Sequence, residues 1–160
     1  MSDPHTSWCH LAQLNIATLK APLDTPSMQG FTEQLAPINA LADSAPGFVW
    51  RLTEDGADDA TALRPFGDDL LINLSVWEDV DSLWEFTFRT AHLELIRRRR
   101  EWIHHMKGSS LVLWWIPTGN IPSVDEAGRR LDLLRERGPS PEAFTLRSLF
   151  PPPQEPTPHI

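Results

Sequence analysis

The sequence predicts an α+β domain, an antiparallel sheet carrying two helices on one face. Two observations predict it. Apolar residues alternate with period two in four short stretches, and between them they recur at helical spacing in two longer ones. The order along the chain is strand, helix, strand, strand, helix, strand, which is the ferredoxin-like βαββαβ plan.

Residues 1–9, ending in "SWC", read as a flexible polar arm. From His10 the first strand alternates, with Leu11, Gln13 and Asn15 on one face and Ala12, Leu14 and Ile16 on the other. A proline-punctuated link leads to a helix from about Met28 to Ala45, stopped by Pro46-Gly47 and expected to kink at Pro37. "GFVWRLT" is the second strand. "LLINLSVWE" is the third, with Leu71, Asn73, Ser75 and Trp77 on one face and Ile72, Leu74 and Val76 on the other. Asp79 or Asp81 caps a single long helix that runs to about Met106 and ends at Gly108.

"SSLVLWWIP" is the fourth strand, closed by Pro117. Beyond it the plan is exceeded by an extension over 118–150. It holds a helix capped by Ser123 and stopped by Gly138-Pro139, then "EAFTLRSLF" as a candidate extra strand. Residues 151–160 are proline-rich and read as a disordered tail, leaving 10–150 as one domain.

A net charge of −8 over 160 residues argues against a nucleic-acid binder, which needs a basic surface. The lone Cys9 cannot form an internal disulfide, and no stretch approaches membrane-spanning length. A cytoplasmic protein that does not engage membranes is expected. No metal site is expected either: Cys9-His10 is too short a motif, and the adjacent His104 and His105 point apart on a helix.

Two features concentrate polar chemistry. On neighbouring central strands, Gln13 and Asn15 would meet Asn73, Ser75 and Trp77 beneath the long helix, where a sealed core has no use for polar groups. The helix itself carries "RRRR", which cannot all face solvent at 100° per residue. Val80, Trp84, Phe88, Ala91, Leu95, Trp102 and Met106 define its core stripe. Arg97 and Arg100 fall opposite that stripe. Arg98 and Arg99 fall on its margins, either snorkelling outward or facing inward to an anionic partner. His92 sits at the edge of the stripe, one turn from Phe88. Either that face is simply wet, or it floors a pocket between sheet and helices lined by Gln13, Asn15, Asn73, Ser75, Trp77, His92 and Arg99.

The segments "LNIA", "LSVWEDVDSL" and "TAH" resemble the dimeric α/β-barrel superfamily, which includes antibiotic-biosynthesis and haem-degrading monooxygenases. "INALADSAPGFVWRL", "HLELIRRRREW" and "LVLWWIP" resemble, more closely, a bacterial domain family of unknown function within it. The resemblance implies a homodimer whose sheets close into a barrel, with a small-molecule site in each subunit. The uncovered apolar face of Ala12, Leu14, Ile16, Ile72, Leu74 and Val76 would supply the contact.

Three readings of the site follow. In a cofactor-independent monooxygenase acting on an aromatic or polyketide-like molecule, Asn15 would bind a phenol or enolate oxygen and His92 would act as base or orienter. Trp50, Trp77 and Trp84 would wall that pocket. The second reading is a non-catalytic binder of a small hydrophobic acid, or a dimeric scaffold. The third is a haem protein with His92 as axial ligand and Arg98 and Arg99 on the propionates. In that branch Asn15 and His92 match the family's asparagine and histidine, while its tryptophan position falls on Phe86 or Trp84. No cofactor is expected in the first reading, haem in the third.

Overall fold

In the computed structural model, residues 8–54, 57, 59–90 and 92–153 are described. The tail from 154 and the arm up to residue 7 lie outside them. Strand β1 (Cys9–Leu19) begins inside the expected arm. It is followed by a 3-10 turn and α1 (Gln29–Asp43), which continues through Pro37 as one helix. Then come β2 (Phe48–Arg51) and β3 (Leu70–Trp77). Gly47 turns the chain into β2 at φ 80°, where a Cβ would run into Ser82.

The expected single long helix is not one helix. It divides into α2 (Val80–Arg89), capped by Asp79 as expected, α3 (His92–Arg97), a 3-10 turn at Arg99–Glu101 and the two-residue β4 (Ile103–His104). The break falls at Thr90, whose backbone is extended at φ −122° and ψ −175°. Threonine can bond its own neighbourhood in competition with the helix, and here it does so on both sides. Periodicity cannot be carried across such a break. On α2 the buried residues are Leu83 and Phe86, while Trp84 is exposed.

The remaining elements are β5 (Leu111–Pro117) and α4 (Val124–Arg137), the latter capped by Ser123 as read from sequence. β3 and β1 are antiparallel neighbours at the sheet centre, with β2 outside β3. β5 lies along Cys9–Asn15 of β1, and β4 along its last two residues. With β5 as the fourth strand, this is the ferredoxin-like order. The expected extra strand is reduced to one bridge, in which Phe144 exchanges two backbone hydrogen bonds with Leu113 at the outer edge of β5.

The sheet is covered on both faces. On one, Leu11, Trp77 and Leu113 pack with Ile38, Ala42, Leu83 and Phe86 of α1 and α2, and with Phe144. On the other, Ala12, Leu14, Ile72, Leu74, Val76, Val112 and Trp114 pack under Ala127, Leu131 and Leu134 of α4. Leu63 and Phe66 complete that cover, Phe66 lying against Gly128, where a Cβ would approach its ring to 3.0 Å. The homodimer that the resemblance implies is expected to use this second face. One chain covers it unaided, so the face gives no ground for a second copy.

Candidate functional site

The paired polar positions of β1 and β3 meet in register: Gln13 lies opposite Ser75, and Asn15 opposite Asn73. Gln13 and Ser75 are the buried polar residues of the described core, and each is satisfied. The Gln13 side-chain amide donates to Ser75 Oγ at 2.7 Å and to Asn73 Oδ1. The indole N–H of Trp77 donates to the same serine oxygen at 2.9 Å. Because Asn73 accepts from Gln13 through its oxygen, its NH2 group is turned away from the network.

Asn15 and Asn73 are exposed, although Leu11, Gln13, Ser75, Trp77 and Leu113 on the same face are buried. The helix layer therefore leaves this part of the central strands uncovered. The result is an open floor with amide donors, nearer to the wet face than to the pocket, the two arrangements the sequence allows. Trp77, only 1% exposed, is core and walls nothing. Two open grooves of about 440 Å³ lie elsewhere, beside α4 and the 117–122 loop. Arg130, which lines both, is already held by Glu126 and the Glu142 carbonyl.

His92 approaches this network through a run of rings. Its imidazole packs on Phe86 at 5.1 Å between centroids, Phe86 stacks on Trp77 at 5.2 Å, and Trp77 meets Phe48 edge-on at 5.4 Å. His92 Nδ1 lies 3.2 Å from the Thr87 carbonyl oxygen. A carbonyl only accepts, so Nδ1 carries the proton and Nε2 the lone pair. Burial lowers the pKa of His92 below the ordinary value, outweighing the opposing effect of the Thr87 carbonyl, and so favours the neutral ring.

Several expected site residues stand apart. Trp50 lies on the other side of the sheet, because a bulge between Phe48 and Trp50 sets it opposite Val76 and flips its face. Trp84 is 42% exposed and packs on Phe88. All four arginines from Arg97 to Arg100 are exposed, which corrects the inward reading of Arg98 and Arg99. Arg98 pairs with Glu101 at 2.7 Å and covers the Trp102 ring at 4.7 Å. The cause is the helix break, which re-phases everything after Thr90.

An arginine that the pattern did not single out faces the site instead. Arg51 pairs in register with Ser75, its side chain is 14% exposed, and it holds Asp43 of α1 through two hydrogen bonds of 2.7 and 3.2 Å. Its signal was a charged residue ending an apolar strand. Cys9 is buried, and desolvation raises its thiol pKa, the opposite of what a nucleophile needs. Among the described residues no three His, Cys, Asp or Glu side chains gather to hold a metal, and no helix is long and apolar enough to cross a membrane.

A family model described as a domain of unknown function (DUF3291) matches residues 10–159. The chain belongs to that family. The match takes in the extension after β5 as well as the ferredoxin-like part. No curated protein matches. Among solved structures, similarity extends to SnoaB, a cofactor-independent oxygenase from Streptomyces nogalater, at 15% identity and a TM-score of 0.46, over 70% of this chain and 95% of that one. A protein of unknown function from Nitrosomonas europaea, NE2512, is 12% identical with a TM-score of 0.46, over 73% and 98%. A dabb family protein with a ferredoxin-like fold from Mesorhizobium loti is 12% identical with a TM-score of 0.41, over 71% and 99%.

Proposed function

We propose that the open floor around Asn15 and Asn73 binds a flat, oxygen-bearing aromatic molecule, and that His92 serves as its base in a cofactor-independent oxygenation. One observation carries this reading. The Asn73 amide is joined to a neutral imidazole through Gln13, Ser75, Trp77 and Phe86, in contacts that fix each ring and the direction of that amide. Amide N–H groups aimed at a ligand oxygen stabilise a phenolate or enolate as it forms. An imidazole with a free Nε2 accepts the proton.

For an anthrone-type substrate the step balances without a cofactor. Nε2 takes one proton of the ring CH2, the carbanion reduces O2 by one electron, and the radical pair joins in a C–O bond. The peroxide recovers the proton from His92, and the hydroperoxide collapses to a carbonyl and water, the second C–H proton leaving in the water.

The haem reading gains less support: Arg98 and Arg99, assigned to the propionates, are both exposed, and Arg98 is engaged by Glu101 and Trp102. The test is oxygen uptake with a dihydroxyanthrone, alongside its binding by fluorescence quenching. Uptake that is lost in His92→Gln while binding persists supports the oxygenase. Binding with no uptake above the uncatalysed rate, in the unaltered protein, leaves a non-catalytic binder.

A further inference from the structure

The break between α2 and α3 is held together by the side chains on either side of it. An α-helix ending at Arg89 leaves the carbonyls of its last turn without partners. Two of them are satisfied by side chains from beyond the break. Thr90 Oγ1 donates to the Phe86 carbonyl at 2.6 Å, and His92 Nδ1 donates to the Thr87 carbonyl at 3.2 Å. The same threonine oxygen accepts the backbone N–H of His92 at 3.2 Å, and the Leu93 N–H bonds the Thr90 carbonyl at 3.0 Å. One hydroxyl thus closes the end of α2 and opens α3.

In an unbroken helix the Thr87 carbonyl would be taken by the backbone N–H four residues on. With Thr90 extended, the chain turns so that the His92 imidazole reaches that carbonyl. We infer that Thr90 is a positioning residue for His92: its hydroxyl holds the break that brings the imidazole onto the Thr87 carbonyl, and the carbonyl in turn fixes the ring as the Nδ1–H tautomer with Nε2 unprotonated. Phe86 takes part twice, through its carbonyl on Thr90 and its ring on the imidazole. The inference deepens the reading of His92 as base and rests on it for the use of Nε2. The tautomer itself stands on the hydrogen bonds.

The experiment is long-range proton–nitrogen correlation NMR on histidine-labelled full-length protein, at a pH well above the ordinary histidine range so that every ring is neutral. The His92 signals are those missing in His92→Gln. The expected result is a proton on Nδ1 in the unaltered protein and in Thr90→Ser, which keeps the hydroxyl. In Thr90→Val, which keeps the shape and loses the hydroxyl, the proton should shift to Nε2 in a substantial fraction of molecules. A proton on Nε2 in the unaltered protein overturns the inference, as does an unchanged Nδ1–H in Thr90→Val. If Thr90→Val does not fold, Thr90→Ala makes the same comparison without bulk at the break. A correct tautomer in a protein that neither binds nor oxidises the anthrone would sink the base reading and leave the role of Thr90 intact.

Discussion

Gln13 and Asn73 meet across the two central strands, with the glutamine amide as donor and the asparagine oxygen as acceptor. This contact decides which end of the Asn73 amide is presented outward. Gln13→Leu keeps the volume but removes the donor to both Asn73 and Ser75. Exposed Asn73 can turn to water, and Ser75 retains Trp77, so the expected loss is about 1 kcal/mol in urea denaturation. Gln13→Glu should cost more, because it sets a carboxylate against the Asn73 oxygen in a buried site. A glutamate variant as stable as the leucine variant at neutral pH would contradict this orientation of the amides.

His92 makes stability depend on pH in one direction. Burial lowers its folded-state pKa, so the unfolded chain binds its proton first as pH falls. The contribution is complete above the ordinary histidine value of 6.5 and is lost as pH falls from there towards the lowered folded value. Denaturation across that window should show less pH dependence in His92→Gln than in the unaltered chain. Equal slopes in the two proteins would assign the dependence to other groups.

The arginine run should divide at Arg98. Arg99→Ala and Arg100→Ala, at exposed positions, are expected to change stability by no more than about half a kcal/mol. Arg98→Ala also loses the Glu101 pair and the Trp102 contact, and should melt lower than either. Part of that difference should vanish in high salt, which screens an exposed ion pair. Thermal melts at two ionic strengths provide the check.

How much of this was legible in the sequence differs by element. The strands could be read because their alternation is local, and Ser123 and Asp79 because a cap is a single residue with a fixed spacing. The split at Thr90 could not, since threonine within an apolar pattern reads as helix until its hydroxyl finds the Phe86 carbonyl. The direction of Arg98 and Arg99 was lost with it. Trp50 depended on one inserted residue in β2, which reverses every side chain beyond it. Gln13, Asn15, Asn73 and Ser75 were found together because alternation and strand order suffice to bring them into register.

The segment after Phe144 should matter as far as Phe150 and no further. The Trp115 indole donates to the Phe150 carbonyl at 2.9 Å, and the Phe150 ring packs on Phe144 at 5.9 Å. Pro151, Pro152 and Pro153 are exposed. A chain ending at Pro153 should melt with the full-length protein. One ending at Ser148 should melt several degrees lower, having lost an apolar ring and a hydrogen-bond acceptor. Identical melting of the two truncations would show that Phe150 contributes nothing.

Because α4 follows β5 in the chain and supplies Ala127, Leu131 and Leu134 to the far side of the sheet, the order of synthesis has a cost. As the chain leaves the ribosome β5 emerges ahead of α4, so β1, β3 and β5 can begin to pair while their Ile, Leu, Val and Trp side chains on that side remain in water. A nascent chain in that condition exposes an adhesive surface that the finished protein hides. Leu131→Ala, expected to cost the folded protein about 2–5 kcal/mol, would prolong the same exposure by weakening the helix that ends it. Yield in the cell would then fall more steeply than equilibrium stability alone implies, with chaperones covering for a helix that arrives last.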